Sequence, residues 1–169
     1  MRVRDMALSL ALIGVAAGHA YPQSLETGER IYMLARGELG ITETPGPKTT
    51  PRIAEYWRVA GYDLGDDVSW CSGFVMALAI LADADISGAT PASRSWLSVG
   101  AAVHDPQPGD VVVFWRGSRW GRSGHVGILV RETAGRVYVI GGNQGSEGAV
   151  TETSFPRERV LGIRRLMAR

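Results

Sequence analysis

Cys71 is the single cysteine in a chain of 169 residues, and it lies in the stretch SWCSGF. One cysteine cannot close an internal disulfide, and with only three histidines in the whole sequence a thiolate metal site lacks ligands. The apolar pattern predicts a buried helix over residues 69–85, with Ser69 as its N-cap. A helix N-terminus stabilises a thiolate, and its free N–H groups can hold an oxyanion. Buried filler, an intermolecular disulfide and a nucleophile are therefore the three candidate roles.

His125 is the histidine best placed to serve as a base for such a thiol. It opens the apolar run HVGILV directly after GRSG, so we expect it at a strand edge, with its side chain facing a cleft. His104 lies in a proline-rich loop and has the pattern of a surface residue. A partly buried histidine of the sheet is the alternative for His125.

Asn143 is the third polar group of the pattern, and it is predicted to orient the histidine. The run RVYVI predicts the neighbouring strand, joined to that of His125 by a hairpin at residues 134–135. Strict alternation then places Asn143 on the face of Val137 and Val139, after two glycines that permit close backbone approach. A loop turn over GGN is the alternative.

The rest of the chain supplies the elements that position these side chains. Helical patterns come first, at residues 24–40, 50–61, 69–85 and 90–100. Thr50 and Pro51 are predicted to be the N-cap and the first residue of the second helix. Runs of strand length follow at residues 111–115, 125–130, 136–140, 149–153 and 160–166. This order predicts an α+β fold, with helices packed on an antiparallel sheet of about five strands.

Composition limits the function classes. Hydrophobic residues make up 45% of the chain and charged residues 21%, which excludes disorder, and the formal net charge of +1 gives no sign of nucleic-acid binding. The first twenty residues combine two arginines, a short apolar run and small residues at Gly18 and Ala20, which is typical of a secretory signal peptide. An uncleaved N-terminal anchor or a buried helix is the alternative.

From this pattern we expect a signal peptide over residues 1–20 and one domain over residues 21–169. The mature protein is then expected to be exported, periplasmic or extracellular, without a stable membrane span. The apolar run is too short to cross a bilayer comfortably.

The ordered set WCSGFV, GDVVVFWRGS, GHVGILV and GGNQ resembles the NlpC-type cell-wall cysteine peptidases, in the branch of small bacterial and phage-lysin proteins. It is also similar to the related CHAP amidohydrolases, and the resemblance extends over roughly residues 30–165. It implies a papain-like fold that needs no metal or organic cofactor. By the motif matches Cys71 would be the nucleophile, His125 the general base and Asn143 the third catalytic residue. One departure is Gly141, which stands where CHAP domains carry a glutamate.

The resemblance implies a peptidoglycan hydrolase that cuts an amide of the stem peptide, in the wall or in muropeptides, through a thioester. For this branch the expected bond joins D-glutamate to the diamino acid. An N-acetylmuramoyl-L-alanine amidase, a transferase that uses the same thioester and a non-catalytic wall-binding module are the alternatives. No pattern in the chain indicates an inhibitor or immunity protein.

A second group of residues is expected to contact the substrate. Glu43 in TETPG resembles a family position near the groove, and Asp67 precedes VSWC. Arg116, Arg119 and Arg122 come just before the histidine and are candidates to hold the carboxylates of a peptide stem. Solvated loop positions are the alternative for all of them. The expected substrate-binding set is Glu43, Asp67, Trp70, Arg122 and Gln144.

Overall fold

The structure of the protein is a computed structural model that describes residues 26–169. The predicted signal peptide lies outside these residues. The helices are α1 (Thr27–Gly37), α2 (Pro51–Val59) and α3 (Cys71–Leu81), followed by a 3₁₀ helix at Ser93–Ser98. The strands are β1 (Ala101–Ala102), β2 (Val111–Trp115), β3 (Gly124–Glu132), β4 (Arg136–Gln144), β5 (Ala149–Pro156) and β6 (Val160–Arg165), with a 3₁₀ turn at Arg157–Arg159.

The strands form one antiparallel sheet in the order β1-β6-β2-β3-β4-β5, so the predicted α+β class is confirmed. Five strands correspond to the predicted runs. The sixth is the two-residue β1, which is too short to leave a period in the sequence. The predicted hairpin at residues 134–135 joins β3 to β4. Strand β4 continues through GGN to Gln144, so the alternative of a loop turn there is wrong.

Two of the helical patterns can be compared with their predictions. Thr50 is the N-cap of α2 and Pro51 its first residue, as predicted, but the Thr50 hydroxyl accepts the N–H of Thr44 and makes no capping bond to the helix. The fourth helical pattern forms a 3₁₀ helix rather than an α-helix. In that segment the hydroxyls of Ser95 and Ser98 donate to backbone carbonyls three residues earlier. Such bonds compete with the α-helical pattern, which explains the tighter turn.

Two hydrophobic clusters cover the two faces of the sheet. The larger one, called here the helix-facing core, contains side chains from the three helices, and residues 71–79 of α3 are all buried. The smaller one, called the second cluster, is made mainly by the alternate residues of the same strands. Its buried members are Val112, Phe114, Leu129, Val137, Val139 and Ile163. Among residues 26–169, no helix has the length and apolar character needed to cross a bilayer.

Candidate active site

Cys71 is the first residue of α3, and its side chain is buried in the helix-facing core. The N-cap is Trp70, so the prediction of Ser69 as N-cap is wrong. The reason is that the carbonyl of Trp70 accepts the first helical hydrogen bond, from the N–H of Phe74. Ser69 is still close, because its Oγ lies 3.8 Å from the Cys71 Sγ. The thiol therefore lies in the first turn, where backbone N–H groups have no helical partner.

Glu43 connects the start of α3 to the end of β4. Its Oε1 accepts a hydrogen bond from the indole of Trp70 at 2.7 Å and one from the side-chain amide of Asn143 at 3.2 Å. A Cβ at position 148 would lie 2.1 Å from this carboxylate, so Gly148 is required for the approach. Tyr56 stacks on Trp70 with ring centroids 6.1 Å apart. These contacts fix the residue immediately before the thiol.

An acidic groove of about 920 Å³ opens beside this network. Four carboxylates line it, from Glu43, Asp66, Asp67 and Glu147. Asp66 accepts the backbone N–H of Thr50 at 2.7 Å, whereas Asp67 is exposed. The structure therefore brings the candidates Glu43 and Asp67 to one groove, and Trp70 joins them through its bond to Glu43.

His125 is the second residue of β3 and is fully buried. Its ring packs beside Phe114 and Phe155, with centroids 6.4 and 5.4 Å away. The next residue, Val126, belongs to the helix-facing core, so alternation directs His125 to the opposite face, where Phe114 lies in the second cluster. The predicted cleft-facing histidine is therefore wrong for this structure, because phenyl rings cover the imidazole.

Both ring nitrogens of His125 have partners. Nε2 lies 3.1 Å from the Oε1 of Gln144, and Nδ1 lies 3.2 Å from the Nη2 of Arg116. A guanidinium can only donate, so Nδ1 is the acceptor and Nε2–H donates to the glutamine. Burial, and to a smaller degree the charges of Arg116 and Arg159, lower the pKa of His125 from 6.5 to about 3 against the opposing effect of the Gln144 bond. The imidazole is therefore neutral, with its only lone pair on Nδ1.

Gln144, rather than Asn143, is hydrogen-bonded to the histidine. Its side chain is 3% exposed, and its Nε2 donates to the carbonyls of Gly141 and Thr151 at 3.0 and 2.6 Å. These bonds fix which end of the amide faces His125. The sequence placed Gln144 among the substrate-binding residues, whereas the structure shows its side chain in contact with His125 and with β4 and β5.

Asn143 lies on the other side of the strand because β4 is irregular there. Its φ is +58°, and the pairing of β4 with β5 shifts register between Gly141 and Gln144. The extra residue breaks the strict alternation, so the prediction that Asn143 faces His125 is wrong. The sequence contained a signal for this, since Asn is one of the few residues that adopt positive φ readily.

No hydrogen bond within residues 26–169 joins Cys71 to either ring nitrogen of His125. The thiol lies in the helix-facing core, whereas the imidazole packs beside the second cluster. Their catalytic pairing stays a prediction. Within the same part of the chain, no group of His, Cys, Asp and Glu side chains is arranged to hold a metal ion.

Two side chains outside the predicted site support these positions. Arg94 donates to the carbonyls of Ser118, Arg119 and Ser123, and so fixes the loop that leads into β3. The predicted substrate residue Arg122 is exposed on the same loop.

The second support lies under α3. Ser72, directly after the thiol, donates to the carbonyl of Thr90 and accepts the indole N–H of buried Trp96. Trp96 is fully buried in the helix-facing core. The available sequence signal was a serine inside a hydrophobic run, because a hydroxyl that becomes buried there needs a hydrogen-bond partner.

Comparison with known families identifies the chain. The family model of the CHAP domain matches residues 54–143, which is more than half of the sequence. The chain belongs to the CHAP domain family. The match includes Cys71, His125 and Asn143 and ends one residue before Gln144, and it confirms the resemblance found in the motifs.

Among solved structures, this CHAP domain is similar to NlpC2 from Trichomonas vaginalis, with a TM-score of 0.52 and 20% identity. The match covers 88% of this chain and 49% of that one, so the chain spans about half the length of that relative. At this identity the likeness shows the fold alone, and it agrees with the expected papain-like arrangement. No curated protein matches the chain.

Proposed function

We propose that this CHAP domain is a peptidoglycan hydrolase that cuts an amide bond of the stem peptide, with Cys71 as nucleophile and His125 as general base. The observation that carries the proposal is the only thiol of the chain at the first residue of α3, in a domain of this family. First-turn N–H groups at that position are suited to holding an oxyanion. Family membership supports the hydrolase class, and the residue roles are our inference.

In the proposed mechanism, Nδ1 of His125 takes the thiol proton and the thiolate attacks the amide carbonyl. N–H groups near Cys71 hold the oxyanion, and His125 returns the proton to the leaving amine. The resulting thioester is hydrolysed by a water that the same base activates. The tautomer supports this assignment, because Nε2–H is held by Gln144 and the lone pair is on Nδ1.

Gln144 is proposed as the orienting residue in place of Asn143. The glycine at 141 supports this assignment, because a Cβ there would lie 3.1 Å from both the Cδ of Gln144 and the Nε2 of His125. The resemblance puts a glutamate at that position in other CHAP domains. Here Gly141 leaves the space in which the amide of Gln144 meets the imidazole.

The finer reaction that we propose is cleavage between D-glutamate and the diamino acid. The acidic groove supports it, because carboxylates from Glu43, Asp66, Asp67 and Glu147 attract the ammonium group of a diamino acid. An N-acetylmuramoyl-L-alanine amidase remains the alternative reaction. A wall-binding module without activity is the alternative of another class.

The deciding experiment is digestion of purified peptidoglycan with the wild-type protein, Cys71→Ala and Cys71→Ser, followed by mass spectrometry of the products. We expect the wild type to release fragments cut after D-glutamate and both variants to release none. Intact stem peptides freed from glycan would indicate the amidase instead. Ser87→Ala is the matched control, because Ser87 is exposed on a loop that does not line the groove. Lysis by a folded Cys71 variant would refute the proposal.

We also propose that the protein is exported, periplasmic or extracellular. The charged, apolar and small-residue pattern of residues 1–20 supports this. N-terminal sequencing of protein recovered from outside the cytoplasm should begin at Tyr21. Recovery of chains that still begin at Met1 would contradict the cleavage.

A further inference from the structure

Arg116 is a half-buried cation without a carboxylate partner. None of the ion pairs within residues 26–169 includes it, and its guanidinium bonds to the Nδ1 of His125. Its main chain is held, because its N–H donates to the carbonyl of Ser123 and its carbonyl accepts the N–H of Ser118. The side chain can therefore move while the loop stays in place.

The bond from Arg116 uses the one lone pair that a general base needs. Nε2 carries the proton that Gln144 accepts, so only Nδ1 can take a proton from a thiol. While the guanidinium donates to Nδ1, that nitrogen is closed to any other donor. A positive charge 3.2 Å away also disfavours the imidazolium that proton transfer creates.

A second cation without a carboxylate partner lies near the same imidazole. Arg159, in the turn before β6, contributes to the electrostatic field at His125 and has a buried Nε with no hydrogen-bond partner. The remaining neighbours are neutral, namely Gln144 from β4, Phe114 from β2 and Phe155 from β5. Among residues 26–169, the surroundings of the histidine therefore carry two positive charges, neither of which takes part in an ion pair.

We propose that Arg116 caps the lone pair of His125 in the free protein, and that a carboxylate of the stem peptide draws the guanidinium away and frees the base. This inference rests on the proposed function and adds a substrate requirement to it, namely an anionic group near the bond that is cut. Arg116 thereby acts as a positioning and specificity residue.

The choice of a carboxylate follows from hydrogen-bond strength. A guanidinium binds a carboxylate through two parallel, charge-assisted bonds, which are roughly twice as strong as bonds between neutral groups. The neutral imidazole offers one acceptor atom and no charge. A carboxylate that reaches the loop should therefore displace the histidine as the partner of Arg116.

The test uses NMR titration of His125 in the full chain carrying Cys71→Ala, so that no turnover occurs. The probes are N-acetyl-L-alanyl-D-glutamic acid and its diamide at equal ionic strength. We expect the acid to shift the Nδ1 resonance and to raise the histidine pKa by at least about one unit, and the diamide to do neither. Equal responses to acid and diamide would overturn the proposal.

Arg116→Gln in the same background supplies the second arm. We expect its free protein to show already the raised histidine pKa, and the acid to cause no further change. Arg58→Gln is the matched control, because it removes an exposed arginine from α2. A histidine titration that is unchanged by Arg116→Gln would overturn the inference.

The kinetic arm uses the active protein with muropeptides that differ only in free or amidated carboxylates. Arg116→Gln should lower the preference for the free acid by about tenfold or more in kcat/KM. A preference that stays unchanged contradicts the inference. The NMR arms need no activity, so a failure of the proposed hydrolase and a failure of the Arg116 inference give different results.

Discussion

The two faces of the sheet hold the candidate catalytic groups in different surroundings. On the helix-facing side, Cys71 follows Trp70, whose indole is tied through Glu43 to the polar side chain of Asn143 and to an acidic groove. On the opposite side, His125 is enclosed by aromatic rings and meets Gln144 and Arg116. The thiol is thus buried at a helix start beside a polar network, whereas the imidazole is buried among aromatic rings.

In the proposed mechanism, the thiol and the imidazole are therefore prepared by different physical means. Because the thiol lies in the first turn of α3, backbone N–H donors are available to it without the burial of a charged side chain. The imidazole is kept neutral by burial and by nearby cations, and its tautomer is set by one amide. In the proposed mechanism, a contact between them requires the guanidinium to leave Nδ1 and the imidazole to turn toward the helix-facing side, so Arg116 is proposed as the link between the two regions.

The largest expected effect comes from removing the base. We predict that His125→Asn lowers wall hydrolysis by about 10³-fold or more, because no other described histidine can take its place. Turbidity loss of purified walls measures this. His104→Asn is the control, since His104 is exposed in the loop before β2, and it should leave the rate unchanged. A folded His125→Asn protein with a tenth of the wild-type rate would remove His125 from the mechanism.

The side-chain amides of Asn143 and Gln144 allow the two faces of the sheet to be tested separately. Gln144→Ala should lower kcat about 10²-fold with little change in KM, because the imidazole loses the group that sets its tautomer. Asn143→Ala should cost less than about tenfold, because its side chain meets Glu43 instead. Steady-state kinetics on muropeptides compare the two. The reverse order of effects would restore Asn143 as the orienting residue.

The dry surroundings of His125 also predict a pH dependence of stability. Its folded pKa is lowered from 6.5 to about 3, so between these values the unfolded chain takes up a proton that the folded protein does not. The contribution is therefore intact above pH 6.5 and is lost as the pH falls. We predict a fall in the free energy of unfolding of roughly 1.4 kcal/mol per pH unit from this residue. Urea unfolding between pH 6.5 and 5 measures it.

The control for this prediction is His125→Asn, which should lack that part of the slope. Comparing the two proteins separates the histidine from carboxylates, which titrate at lower pH. Equal slopes for both would mean that the imidazole is solvated in the folded protein.

The smallest expected effect lies on the helix-facing side. Glu43→Ala should lower the free energy of unfolding by about 1–3 kcal/mol, because it leaves the indole N–H of Trp70 without an acceptor. Asp67→Ala should change it by less than about 0.5 kcal/mol, because Asp67 is exposed in the groove. Chemical denaturation of both variants checks the contrast. Equal losses of unfolding free energy in the two variants would show that the Trp70 bond contributes no stability of its own.

Local patterns were enough to predict most of the architecture. The run VVVFW became β2 with its predicted bounds, because a continuous apolar run flanked by turn residues has few other stable states. Pro51 began α2 as predicted because its fixed φ suits the first helical position and depends on no distant contact. By contrast β1 was missed, because two residues gain strand geometry only from their pairing with β6.

The site was predictable in its residue types but not in its contacts. Cys71 at a helix start follows from the sequence to within two residues. The partner of His125 does not follow from the sequence, because the irregular residue in β4 exchanges the faces on which Asn143 and Gln144 lie. Whether a strand stays regular depends on its neighbours on both sides, which no local pattern contains.

The sequence by itself therefore determined the helices and most strands, the thiol at the start of α3 and membership of the CHAP domain family. These depend on hydrophobic period, capping and ordered motifs, which are local properties. Only the tertiary structure decided that His125 lies opposite the helices, with its two ring nitrogens held by Gln144 and Arg116. Those contacts join residues up to 19 positions apart through strand pairing and burial, so they exist only once the sheet has formed.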